Sequence, residues 1–280
     1  MHPSFANHVY FLRKRLQWAG LVVLLGLLGA GCESDSPPPE RLLAPADTLF
    51  EATDDERDAA IEALDQADRT ALDTTFQKLE AYAFERTART EQYGPADTVT
   101  AFAQHTTRHV GPDASPEVLR ADSAGRFEAS FLDRFFATDE TDLLPDQLID
   151  YAVPDEPAYR SERERESFRY RLRVDTLATG HPVEVVDVVA QPGELGADQS
   201  IRYARIGIDP DTQEIVSYYI VHSHDALLFD EDSRFFIALQ PVGEAWLPHY
   251  TRFRARVGAP LRAPLAVGSA AAYYTPSLLE

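Results

Sequence analysis

Phe168-Arg169-Tyr170-Arg171-Leu172-Arg173-Val174-Asp175 opens the stretch, Ser167 to Ser223, whose reading decides the fold. Large apolar side chains stand on every second position and charged ones between them. Successive residues of a strand point to opposite sheet faces, so the octet reads as a strand with one dry and one wet face. Three further strand-like runs follow. Thr179-Gly180-His181-Pro182 turns the chain into Val183–Ala190, which is apolar on both parities and predicts a strand covered on both faces near the sheet centre. Ile201–Ile208 and Glu214–His222 flank Asp209-Pro210-Asp211-Thr212-Gln213, a composition that favours a tight turn. A one-sided antiparallel sheet is the expected centre of the molecule.

Downstream, Arg234–Gln240 predicts another strand and Leu261–Tyr274 the last. His249–Val257 alternates again, with Thr251, Phe253, Ala255 and Val257 on one face and Arg252, Arg254 and Arg256 on the other. Upstream, Thr53-Asp54-Asp55-Glu56 is a capping box with its N-cap at Thr53. Ile61, Leu64, Leu72, Phe76, Leu79 and Ala83 then recur at helical spacing. They predict an amphipathic helical region over about 54–80, bent near Asp68 and packed on one sheet face. Ala81–Thr90 and Thr98–Val110 flank Gly94-Pro95-Ala96-Asp97 and predict a hairpin. Val118–Phe127 reads as a pair of short strands around Asp122-Ser123-Ala124-Gly125. Phe131, Phe135 and Phe136 form an aromatic cluster, and Pro145–Ile149 a short helix opening at a proline. The rest of 137–166 reads as a charged, solvated loop. Nine or ten meandering strands with no internal repeat predict one α+β, mostly β, domain over residues 53–280.

The chain carries 46 acidic against 26 basic residues, a formal net charge of -20, which argues against nucleic acid as a partner. Lys14 and Lys78 are the only lysines. Acid-rich, lysine-poor balance resembles that of proteins from salt-accumulating halophiles, where it serves solubility. Residues 1–31 read as a targeting segment. Arg13-Lys14-Arg15 precede an uncharged apolar run, Leu16–Ala30, too short for a comfortable membrane span. The run ends in Leu27-Leu28-Gly29-Ala30-Gly31-Cys32, and Cys32 is the single cysteine. This resembles the bacterial lipoprotein signal, in which the cysteine becomes acylated (palmitate among its acyl groups) and N-terminal after cleavage. Gly29 departs from that pattern, which normally has an aliphatic residue there. The alternatives are a plain secretory signal or an uncleaved anchor. Glu33-Ser34-Asp35-Ser36-Pro37-Pro38-Pro39-Glu40 lies in an acidic, proline-rich tether, residues 32–52. Its acids resemble a signal for export to the outer membrane or cell surface.

The signal, the early amphipathic helix and the meandering sheet together look like the LolA/LolB-like lipoprotein-carrier superfamily. The paired strands around Asp209-Pro210-Asp211-Thr212, and Trp246-Leu247-Pro248 leading into a late strand, add to the resemblance. It covers about residues 54–274 by pattern and implies an antiparallel incomplete (half) β-barrel with a helical cover over an apolar cavity. The anchor is similar to that of the membrane-attached acceptor type. The resemblance implies reversible, non-catalytic binding of a hydrophobic acyl-bearing ligand, or reception of lipoproteins. Partners would be the membrane, through the anchor, and a lipid or acylated protein. Candidate liners on the dry face are Phe168, Tyr170, Leu172, Val174, Tyr218, Ile220, Phe253 and Val257, residue types that a closed core uses equally.

Other chemistry is sparse. His222-Ser223-His224-Asp225 places two histidines on one strand face, as metal ligands can stand. The pattern H-x-H-x-D-H fails where Ala226 and Leu227 follow, so a third ligand would come from Asp225 or Asp230. Solvated histidines at a strand end are the plainer reading. His105 and His109 share a parity but stand four residues apart. No nucleophile elbow, P-loop, dinucleotide fingerprint or H-E-x-x-H occurs. No cofactor is expected. Arg169, Arg171 and Arg173, like the later arginine triplet, are expected to be solvated partners of the many carboxylates; an anionic head-group site at the cavity rim is the sharper alternative. The second functional reading is an envelope scaffold or assembly lipoprotein using the sheet as an interaction surface. The third is a metal-dependent enzyme at His222 and His224.

Overall fold

The computed structural model describes residues 50, 52–94, 97–112, 114–127, 152–191, 201–226, 229–258 and 265–279, with backbone alone at 224–226, 229–231, 257, 258 and 265. Among them ten strands form one antiparallel sheet. They are β1 (Tyr82–Tyr93), β2 (Val99–His109), β3 (Glu117–Ala124), β4 (Phe168–Thr176), β5 (Pro182–Ala190), β6 (Ile201–Ile208), β7 (Ile215–Ala226), β8 (Phe229–Val242), β9 (Ala245–Gly258) and β10 (Leu265–Leu278). The spatial order is β3-β2-β1-β10-β9-β8-β7-β6-β5-β4, so the sheet is open. Every pair of consecutive strands is adjacent except β3 and β4, which form the two edges. The first and last strands pair with each other, from Tyr82↔Leu278 to Tyr93↔Ala266.

Two helices, α1 (Asp54–Gln66) and α2 (Thr70–Leu79), lie on one sheet face. The predicted capping box is present: Glu56 N–H donates to Thr53 Oγ1, and Thr53 N–H donates to Glu56 Oε2 at 2.9 Å. The predicted bend at Asp68 is a break. Asp68 N–H donates to the Gln213 carbonyl (2.8 Å) and its own carbonyl accepts from Ile215 N–H (2.7 Å), a lone parallel bridge to the β6–β7 turn. Its carboxylate then accepts from Thr70 N–H (2.9 Å) and so starts α2. The helices bury Ala60, Ala63, Leu64, Ala71, Leu72, Thr75 and Leu79.

Cross-strand partners share a face. On the helix face the register therefore collects Phe168, Tyr170, Val186, Val188, Ala204, Ile206, Tyr218, Ile220, Phe235, Ile237 and Phe253, all buried in one cluster. The opposite face carries the intervening arginines. Thr251, Phe253 and Ala255 do alternate with Arg252 and Arg254 as the sequence suggests.

Two local expectations change. Val118–Phe127 holds one strand, because Asp122-Ser123-Ala124 continue the ladder against Phe102–Gln104. The chain turns only at Gly125, where φ is +75° and an added Cβ would stand 2.2 Å from the Thr100 carbonyl oxygen. The Val183–Ala190 strand, β5, is next to an edge and not near the sheet centre. It is apolar on both parities because Val186 and Val188 meet the helices while Val183, Val185 and Asp187 are buried on the other face. Phe131, Phe135, Phe136 and Pro145–Ile149 lie outside the described residues. Part of the expected loop, 152–167, makes two 3-10 turns, Ala158–Arg160 and Arg165–Ser167.

Asp187 organises the far face. Fully buried, it accepts from Tyr203 Oη (2.6 Å) and Arg205 Nε (2.7 Å) on one oxygen. Arg171 Nη2 (2.9 Å) and Arg173 Nε (3.1 Å) donate to the other. Arg171 and Arg173 thus pair with carboxylates as expected and stay partly exposed, but the carboxylate they share is a buried one. Burial pushes the Asp187 carboxyl up, but the hydrogen bonds from Tyr203, Arg171 and Arg205 outweigh it and bring it down to about 2. Beside this cluster the rings of Tyr203, Tyr219, Phe236 and Tyr250 follow one another edge-on or tilted, with centroids 5.7, 6.5 and 6.0 Å apart.

Asp187→Asn removes the buried charge on which Arg171, Arg173 and Arg205 converge, and is expected to cost about 3 kcal/mol in urea unfolding. Because the folded carboxyl titrates below its unfolded value of about 3.9, its stabilisation is complete above that pH. It is lost as pH falls towards about 2, a change of about 2 kcal/mol that the variant should lack.

Candidate functional site on the helix face

The eight residues expected to line a cavity do not share one environment. Phe168, Tyr170, Tyr218 and Ile220 are closed core. Tyr159 seals them from the segment before β4: its hydroxyl lies 2.6 Å from that of Tyr218, and its carbonyl accepts from Tyr170 Oη at 2.7 Å. Burial pushes the Tyr218 hydroxyl up to about 12 and that of Tyr159 well above its ordinary value, so the pair stays protonated and hydrogen-bonded. Leu172 is half-buried against the same core. Val174 is 78% exposed, because β4 is an edge strand and Val174 faces Glu184 across the ladder. Phe253 is buried, and the Val257 side chain lies outside the described residues. Phe168 and Tyr170 also form the floor of an open cleft of ≈ 640 Å³ between β4, Phe50 and the start of α1. Asp54, Arg57, Glu166 and Arg169 share its walls, and the two aromatic rings are at most 2% exposed. Little apolar surface is available there for a hydrophobic ligand.

A different part of the same face carries smaller and more polar side chains. The ladders place His222, Ser233, Ala255, Val267, Gln92 and Ala101 in one row across β7-β8-β9-β10-β1-β2. The next row is Ile220, Phe235, Phe253, Ser269, Thr90 and Ala103, and the third is Tyr218, Ile237, Thr251, Ala271, Ala88 and His105. Helix α2 lies over the far end of these rows: Thr75 Oγ1 donates to the Trp246 carbonyl, and Phe76 meets the Tyr273 ring at 6.2 Å. The first row lies four residues, about 13 Å, further along each strand than the third. Ala255, Val267 and Ala101 carry small side chains and are buried in this row. The Ser233 hydroxyl points into this row, 1% exposed and without a hydrogen-bond partner. An unsatisfied buried hydroxyl costs about 1–3 kcal/mol, a cost that a ligand's polar atom removes.

The helix-face histidines are placed by packing. His109 stacks on Phe84 with centroids 4.4 Å apart and accompanies Thr107 Oγ1 at 3.0 Å. Burial, then the charge of Arg86, pushes it down to about 4, so it is neutral at physiological pH. His105 shares that face and keeps a buried Nδ1 without a partner. His222 is buried with Nε2 3.5 Å from the Ala152 carbonyl oxygen, which corrects the reading of a solvated strand end. The side chains of His224, Asp225 and Asp230 lie outside the described residues. Among the described residues no three His, Cys, Asp or Glu side chains converge as metal ligands. Arg252 and Arg254 lie on the sheet face opposite the helices, with Arg254 2.7 Å from Asp97 and 4.3 Å from the Tyr93 ring centre, and not at a rim of the helix-covered face. Among the described residues no helix is long and apolar enough to cross a membrane.

Ser233→Ala is expected to raise the stability of the ligand-free protein by about 1 kcal/mol in urea unfolding, because it removes a buried donor that nothing satisfies. A loss of stability of that size would show that the hydroxyl is bonded in the folded state.

No protein-family model matches the chain, and no curated protein matches it by sequence. Similar solved structures include a DUF1329 family protein from Desulfovibrio piger, with 10% identity over 80% of this chain and 93% of that one, at a TM-score of 0.25. A second is described as an outer membrane lipoprotein-sorting protein domain from Vibrio parahaemolyticus (9% identity, 79% and 93% covered, TM-score 0.26). A third is a LolA superfamily protein from Nitrosomonas europaea (12% identity, 79% and 94% covered, TM-score 0.23). At these scores the likenesses assign neither a family nor an activity; the fold stands on its own strand register.

Proposed function

We propose that this chain is an envelope lipoprotein, acylated at Cys32, that holds a hydrophobic acyl-bearing ligand, a lipid or an acylated protein, without covalent chemistry. Residues 53–280 form the binding body, a half-barrel held off the outer membrane by the acidic, proline-rich tether. The observation that carries this reading is the row Ser233, Ala255, Val267 and Ala101: small side chains on a buried sheet face, with one unsatisfied hydroxyl among them. An acyl chain placed there would gain about 0.8 kcal/mol per buried CH₂, and its ester or amide would meet the Ser233 hydroxyl. The ligand site therefore moves from Phe168, Tyr170, Tyr218 and Ile220, which are closed core, to this row of the same face, beside Phe253. The acid-rich, lysine-poor surface suits a salt-rich surrounding. The scaffold reading has its own support in the exposed edge strand β3.

Native mass spectrometry with lipid extraction tests the binding. The expected result is about one acyl-bearing molecule per chain, retained by the natural protein and lost in a folded Val267→Trp variant. A clean protein mass with no uptake of added lipid or acylated peptide overturns it. Cys32→Ser is expected to abolish incorporation of labelled fatty acid and to release the protein from the membrane fraction. A variant that stays membrane-bound and labelled would place the anchor elsewhere.

A further inference from the structure

All eight residues of β3, Glu117-Val118-Leu119-Arg120-Ala121-Asp122-Ser123-Ala124, are exposed, although the strand is paired along one side with β2, regularly from Arg120 to Ala124 and through a bulge at Leu119. Val118 is 42% and Leu119 39% exposed. Its other side is a sheet edge: among the described residues no strand bonds to it. An edge offers a row of free N–H and C=O groups, and natural sheets protect such edges with proline, lysine, cover or shortness. β3 contains neither proline nor lysine and spans eight residues, and its bulge at Leu119 leaves Arg120–Ala124 straight. Its charges have an order that serves a particular partner.

We infer that the free edge of β3 pairs with the same edge of a second copy of this chain, antiparallel about a two-fold axis beside Ala121, joining the two sheets. An antiparallel pair of identical strands keeps outward N–H groups opposite outward C=O groups only where some residue faces its own copy. Centring on Arg120 sets two guanidinium groups against each other, and centring on Asp122 sets two carboxylates together; like charges directly opposite are destabilising. Centring on Ala121 sets Arg120 opposite Asp122 of the second copy, and Asp122 opposite its Arg120. Both pairs then fall on one face, because Arg120 and Asp122 pair with Thr106 and Gln104 of β2 and so share the side away from the helices. Beyond these pairs, Ser123 and Ala124 come to lie opposite the bulge at Leu119. Sequence symmetry about Ala121 is what an isologous contact requires.

Two such strands bury less than about 1,200 Å², the range of weak and transient association, so the test must trap the contact. Ala121→Cys is made in the full chain, where Cys32 is the only other cysteine, and mild oxidation is followed on non-reducing gels beside the natural protein. Ala121 is exposed, and circular dichroism confirms that each variant folds. The expected result is a covalent dimer in Ala121→Cys and none in Leu119→Cys, whose cysteines would lie about 13 Å apart along the strand. Adding Asp122→Arg cuts the dimer severalfold, and adding Arg120→Asp as well restores it. No dimer above the natural background, a dimer indifferent to the charge reversals, or a crosslink to a different protein each overturns the inference. Lipid retention is read separately, so this outcome is independent of the acyl-binding reading.

Discussion

The constraint on which the rest of the molecule depends is the register of β7, β8 and β9. On these strands Tyr218, Ile220, Phe235, Ile237 and Phe253 face the helices, while Tyr219, Arg234, Phe236, Arg252 and Arg254 face away. A slip of one residue would exchange the two sets and drive arginines under α2, where each unpaired charge costs several kcal/mol. The short β8–β9 turn, with Gly243 at φ +61°, holds the slip shut from one end. With that register set, β6, β5 and β4 extend the sheet on one side and β10, β1, β2 and β3 on the other. The helices find a continuous apolar floor only because all the strands agree on which side is dry.

Much of this is written locally. Alternation from Phe168 to Val257 identifies the strands and their faces, and Thr53–Glu56 marks where the first helix starts. What alternation lacks is neighbour order. Nothing in Tyr82–Tyr93 announces that it lies beside Leu265–Leu278, because the pairing depends on contacts distant in sequence. The two-sided apolar run Val183–Ala190 looked central for a related reason. Periodicity reports that both faces are covered, and here one of them is covered around a buried Asp187 with three arginines. The turn-forming composition Asp122-Ser123-Ala124-Gly125 hid the end of β3, where only the close approach of Gly125 to Thr100 shows that a single residue makes the turn.

The candidate site was legible as a face and not as a place on that face. Phe168, Tyr170, Tyr218 and Ile220 have the residue types of an acyl pocket, and no sequence pattern says that Tyr159 and α1 have already filled the space above them. The residues of the proposed row are the inconspicuous ones. Ser233, Ala255, Val267 and Ala101 carry no motif, and they fall into a row only through four successive ladders. Asp187 did leave a signal: an acid inside a two-sided apolar strand, with arginines at matching parity on β4 and β6.

The pairing of the first strand with the last has a consequence for the order in which a growing chain can fold. Partners in the β1–β10 ladder are separated by roughly 170–200 residues, and closing so long a loop precedes any gain from the contact. The meander from β4 to β10 can zip up hairpin by hairpin, each step local. The three strands nearest the N-terminus have no comparable route. They are made first and seated last, waiting as a separate ribbon until the final strand is free to receive them. The C-terminal residues, among the least conspicuous in the sequence, are therefore the dock on which the whole N-terminal third of the sheet assembles.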